Sequence, residues 1–139
     1  MKIVWILLGF VALASLGLVG GGLYYDRVMN PRVAREIVQN PNGERAKKVM
    51  LISLPDGRRL PVNYLRKDEL VYAGADGSWW KTLPPEGADV TLLIRGETLS
   101  GRGRTVLDDP EYTKRIFAEL RPDAIEGFGR LVEIRLDAP

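Results

Sequence analysis

The chain has 139 residues, with 20 Lys+Arg against 18 Asp+Glu and neither Cys nor His, which is room for one compact domain plus one extra element. That excludes a two-domain enzyme, a disulfide framework, a thiolate or imidazole metal site, and a Ser-His or Cys-His nucleophile pair. The two charge signs are mixed along the chain, for a formal net charge of +2, so no clustered basic face marks a nucleic-acid partner.

The first element is a run without charge from Ile3 to Tyr25, long enough at the helical rise to span a hydrocarbon core of roughly 30 Å. It reads as a transmembrane anchor over residues 1–25, with Trp5 at one interface and Tyr24-Tyr25 at the other. The rival reading is a cleaved signal peptide, with Lys2 as the charged region, Val4 to Val11 as the apolar core and Ala12-Leu13-Ala14 as the cleavage site. Arg27, Arg32 and Arg35 outweigh Lys2, which predicts a single-pass membrane protein whose C-terminal domain is cytoplasmic and whose partners include the membrane. Gly17 and Gly21 form a small-xxx-small pair that lets two helices approach, or are simply two of the glycines common in such segments.

Residues 26–44 form a linker and a short helix. Asn30-Pro31 is a cap followed by proline at the first helical position, and Val33, Ala34, Ile37 and Val38 then share one face up to Pro41. The barrel domain, 45–139, follows. Lys48 to Leu54 is strand-prone and Pro55-Asp56-Gly57 is a turn, after which Leu60, Val62 and Tyr64 alternate with Arg59, Pro61 and Asn63. A tight turn at Lys67-Asp68 leads to a third strand from Leu70 to Gly74. Ala75 to Leu83 reads as a loop entering one helical turn, stopped by Pro84-Pro85. Val90, Leu92 and Ile94 alternate up to a Gly96-Glu97 turn, and the returning strand, Thr98 to Leu107, carries Gly101 and Gly103 as signs of a bulge or a barrel corner. Asp109-Pro110 caps a helix with Ile116, Phe117 and Leu120 on its apolar face, ended by Pro122. Leu131 to Leu136 is the last strand, with Val132, Ile134 and Leu136 facing in.

These elements predict a mainly β fold, a six-stranded antiparallel barrel with small helices, preceded by a transmembrane helix. Spacing alone leaves oligonucleotide-binding and split-barrel topologies open. Three segments in order, Gly57 to Leu65, Gly77 to Leu83 and Gly101 to Leu107, resemble the deazaflavin-dependent nitroreductase group, whose members have the split β-barrel related to FMN-binding reductases. The resemblance implies a membrane-anchored oxidoreductase that binds a deazaflavin (factor 420) or FMN and reduces a hydrophobic acceptor such as a quinone or nitro compound, and it implies a homodimer. It places Arg58 and Arg59 on the basic hairpin, Pro61 and Val62 on the strand flanking the ring, and Ser78, Trp79, Trp80 and Lys81 near the phosphate. Physical chemistry adds that a helix start exposes backbone amides to an anion, that Ser78 and Lys81 add a hydroxyl donor and a positive charge, and that arginine at 58 and 59 grips phosphate bidentately. No catalytic acid or base and no metal ligand stands out.

Blander readings stand beside these. Trp79-Trp80 plugs one barrel end or walls a ligand, and Arg58-Arg59 solubilises a hairpin. Arg95, Arg102 and Arg104 lie on a solvated face. The alternative function is a cofactor-free tethered barrel acting as a binding or assembly module. It is favoured by Thr82, where the group carries asparagine, and by Asp56 in a shortened first turn.

Overall fold

The computed structural model describes residues 2–24 and 30–139, without the side chains of residues 2, 5, 9, 10 and 18–24. Two compact units divide the chain, Met1–Arg35 and Glu36–Pro139.

Helix α1, Lys2–Tyr24, occupies the first unit. Its described apolar side chains, among them Ile3, Leu7, Val11 and Leu16, are exposed. Among the described residues no helix is long and apolar enough to cross a membrane, which overturns the expected single-pass membrane localisation and, with it, the cytoplasmic placement. The side chains of Lys2, Trp5 and Tyr24, and all of Tyr25, Asp26 and Arg27, lie outside the described residues, as do their expected interfacial and orienting roles. Gly17 has open space around it, while the side of Gly21 that would pair with it falls outside the description.

Helix α2, Asn30–Gln39, begins at the Asn-Pro cap and stops short of Pro41. Of its expected apolar face only Ile37 is buried, and Val38 is exposed.

The second unit contains six strands: β1 (Val49–Ser53), β2 (Arg59–Lys67), β3 (Leu70–Ala75), β4 (Ala88–Ile94), β5 (Glu97–Val106) and β6 (Arg130–Leu136). They close an antiparallel barrel in the order β1-β2-β3-β6-β5-β4, with β1 paired to β4. Alternation sets the inside: Met50 and Ile52, Val71 and Ala73, Leu92 and Ile94, and Val132 and Ile134 fill it, as period-two side chains of a small barrel must. Turn chemistry fixes the register. Leu54 N–H donates to the Arg58 carbonyl across a loop in which Gly57 has φ +88°, a conformation that costs glycine little. At the β4–β5 turn Ile94 pairs with Glu97, so the central residues are Arg95 and Gly96, both at positive φ. This is a type I′ turn one residue earlier than the expected Gly96-Glu97.

The bulge read from Gly101 and Gly103 is absent: β5 pairs without a skipped residue to β4 and to β6. Gly101 is there because a Cβ would lie 2.6 Å from the Arg135 carbonyl oxygen. Helix α3, Pro110–Leu120, is capped by Asp109, whose carboxylate accepts the Tyr112 N–H at 3.0 Å. It covers the outside of the barrel, where Ile116 packs with Tyr72, Val106 and Leu131.

Candidate functional site

β2 changes partner along its length. Arg59 to Asn63 pair with β1, and the β2–β3 ladder begins only at Tyr64↔Ala73. The first half of β2 therefore has no ladder partner on the β3 side, which suits Pro61, a residue with no N–H to offer. β3 itself stays paired to β6 as far as Ala75↔Arg130. From there the chain folds over the barrel end as a five-residue 3-10 helix, Ser78–Thr82.

This cap is held from inside. Trp79 is buried in the barrel core and Trp80 packs half-buried against it. Thr105, 1% exposed, donates its hydroxyl to the Trp80 carbonyl at 2.9 Å and its N–H to the Leu83 carbonyl at 3.0 Å. Thr82 Oγ1 donates to the Trp79 carbonyl at 2.8 Å, closing its own turn. Trp79 is thus the plug of the two alternatives, and Trp80 is the ring that remains at the mouth. A single 3-10 turn is too short to carry the aligned peptide dipoles that an anion site at Ser78 needs.

The eight residues expected at the site fall at this one end of the barrel, in two groups. Val62 packs against the core and Pro61 faces outward. Arg59 opens β2 opposite Ser53 and is exposed, as is Ser78 at the start of the 3-10 turn. Lys81 Nζ lies 5.8 Å from the centroid of the Trp80 ring. Arg58 is already engaged: its Nε donates to Asp56 Oδ2 at 2.8 Å and its backbone N–H to Oδ1 at 3.0 Å. That backbone hydrogen bond, ahead of the guanidinium contact, lowers the Asp56 carboxyl below its ordinary range. The phosphate grip expected of Arg58 is therefore spoken for within its own turn, and Arg59 is the free cation of the pair, with no carboxylate partner among the described residues.

Sequence reading missed three features. Arg130 opens β6, and its guanidinium lies 5.8 Å from the Trp80 centroid. It shares the parity of inward-facing Val132 and Ile134, a signal the sequence does carry. Arg121 donates to the Gly74 carbonyl at 2.7 Å and to Asp76, tying the end of α3 to the end of β3. A Cβ at Gly74 would lie 2.6 Å from that guanidinium, which would have to move aside. Thirdly, a groove of about 660 Å³ runs between α3 and the segment that follows it, with Phe117, exposed Ile125 and Phe128 on its walls and Arg121 and Arg130 at its edge. That volume falls within the roughly 300–1,000 Å³ of small-molecule sites. Arg130 belongs to both places, the groove and the Trp80 mouth.

Fold and site together define a closed six-stranded antiparallel barrel with the Ser78–Thr82 turn packed on its core, two cations beside the Trp80 ring, and a groove of mixed polarity along α3. No family model matches the chain, and no curated protein matches it in sequence. Among solved structures it is similar to a candidate pyridoxamine 5'-phosphate oxidase from Listeria innocua, 18% identical over 66% of this chain and 85% of that one, with a TM-score of 0.48. A second from Lactobacillus delbrueckii, carrying the same description, is 13% identical over 71% of this chain and 88% of that one, with a TM-score of 0.44. Identities this low leave the site to be read from its own residues.

Proposed function

We propose that the chain is an oxidoreductase-type barrel that binds FMN or a deazaflavin at the Trp80 mouth and receives a hydrophobic acceptor, a quinone or nitro compound, in the adjoining groove. The observation that supports this reading is that Trp80, packed half-buried on the same core as Val62, has the Lys81 ammonium and the Arg130 guanidinium each 5.8 Å from its ring centroid. A flavin or deazaflavin supplies hydride chemistry, so the protein needs neither His nor Cys to provide it. What the chain contributes is position and field. Arg59 and Lys81 supply positive charge for a phosphate, the β2 segment at Pro61 and Val62 offers a ring its unpaired backbone edge, and the Thr105 lock keeps the cap from following the ligand. Phe117 and Phe128 offer an acceptor apolar surface in the groove. The proposed assembly is a homodimer, which sedimentation of the full chain tests.

The test is titration of the full chain with FMN and with a deazaflavin, followed by fluorescence and heat. Saturable micromolar binding of either supports the reading, and Arg59→Ala then weakens it. No binding of either at near-millimolar concentration removes it. The second reading, a cofactor-free barrel acting as a binding or assembly module, is favoured by burial of Trp79 and by the Asp56–Arg58 pair. Under it, Arg59→Ala changes nothing measurable with either cofactor.

A further inference from the structure

The strand-borne arginines divide sharply. Arg66 faces Glu97 at 3.8 Å, Arg102 faces Asp89 at 3.2 Å, Arg104 faces Glu133 at 3.1 Å and Arg135 faces Glu69 at 3.4 Å. Arg59 and Arg130 have no carboxylate within reach among the described residues, and Arg130 is the one whose register parity aims it at the barrel interior. An arginine at such a position is tolerated because it is the first residue of its strand and looks onto the mouth, where its guanidinium lies over the Trp80 ring at 5.8 Å. Lys81 lies at the same distance from that ring. Two cations on one aromatic ring repel each other and gain little from it when exposed. A guanidinium–phosphate pair is bidentate and stronger, and an incoming phosphate can take Arg130 from the ring without breaking an ion pair. Arg104 would first have to leave Glu133.

We propose that Arg130 is the anion-positioning residue of the mouth: with Lys81, the other cation beside the Trp80 ring, it clamps the phosphate end of the bound mononucleotide. This rests on the flavin reading for the identity of the ligand, but the anion site itself is a property of Arg130, Lys81 and Trp80. Because Arg130 also lines the groove, its position fixes where the phosphate end lies relative to the acceptor wall.

The assignment is tested by titrating the full chain and its Arg130→Met and Arg130→Lys variants with FMN and with riboflavin, which lacks the phosphate. Arg130→Met keeps much of the aliphatic stem, and circular dichroism with a melting curve confirms that each variant is folded. Expected is a loss of about tenfold or more in FMN affinity for Arg130→Met, no change for riboflavin, and partial recovery in Arg130→Lys. Equal losses for both ligands, or none for FMN, overturn the assignment. If the wild-type chain binds neither flavin, the flavin reading falls, and inorganic pyrophosphate decides separately. Saturable pyrophosphate binding that Arg130→Met weakens upholds the anion clamp; no pyrophosphate binding, or binding indifferent to Arg130, overturns it.

Discussion

The seam under α3 and the mouth under Trp80 are both rich in arginine and aromatic rings, yet they are built to opposite ends. At the seam every polar group is used. Tyr112 donates its hydroxyl to Glu133 Oε2, so its contact with the Tyr72 hydroxyl at 2.7 Å must be one in which Tyr72 donates, while Arg104 Nε fills Glu133 Oε1 at 3.1 Å. The two tyrosine rings meet edge-on with centroids 6.2 Å apart. At the mouth the buried groups are equally satisfied, through Thr105 and Thr82, but Lys81 and Arg130, and Arg59 at the start of β2, are left without carboxylates among the described residues. Among those residues no buried side-chain polar atom lacks a partner. The fold has therefore met its own polar requirements without these three cations, and their charge is available to something else.

The largest effects should separate the two tryptophans. Trp79→Ala removes a buried ring from the barrel core and is expected to destabilise by about 3–5 kcal/mol, read from urea unfolding. Trp80→Ala should cost clearly less stability and more ligand affinity; if the two are alike in both readouts, the division between plug and mouth is wrong. Next comes Glu133→Ala, which leaves the Tyr112 hydroxyl and Arg104 without their acceptor at a side chain only 13% exposed. A loss of about 2 kcal/mol is expected, with cofactor titration unchanged, since the seam does not serve the mouth.

Tyr112→Phe should cost about 1 kcal/mol at neutral pH, and its pH dependence is more telling. Burial first, then the hydrogen bonds to Glu133 and Tyr72, raise the Tyr112 hydroxyl far above its ordinary value, with Arg115 the cation over its ring. A raised folded value means that the folded chain holds this proton more tightly than the unfolded one. Its stabilisation is complete below the unfolded value near about 10 and is lost progressively above it. Stability should therefore fall above about pH 10, and the fall should be shallower in Tyr112→Phe. Some slope remains from Tyr64, which burial also raises.

How much of this could be read in advance follows from the range of each interaction. Strand positions come from period-two alternation, and the α3 cap from Asp109-Pro110, both local signals. The same locality let Trp79 be weighed as a plug, and Arg58 could have been discounted, since Asp56 two residues earlier is a common turn partner. Gly101 was opaque: its cause is a carbonyl of Arg135 on another strand. Arg104 was assigned to a solvated face because nothing local shows that Glu133, 29 residues on, meets it at a half-buried seam. Arg130 lies one residue before Leu131, where the apolar alternation of the last strand begins, so the pattern alone does not include it. The missing β2–β3 pairing above Tyr64 could be seen only once the barrel had closed.

The smallest expected effect tests whether the groove belongs with the seam or with the mouth. Lys114 Nζ and Glu126 Oε1 meet at 2.8 Å across it, both exposed. Their hydrogen bond raises the lysine and lowers the glutamate from their ordinary values, the signature of a formed pair rather than of a strong one. In water such a pair is screened by salt and must hold two long side chains still. Lys114→Ala and Glu126→Ala should therefore leave the melting temperature unchanged within error, at low salt as at high. A drop of several degrees that salt abolishes would mean that this contact orders the segment after α3. The groove wall carrying Ile125 and Phe128 would then be as fixed as the Tyr112 seam, and no longer a surface free to adjust around an acceptor.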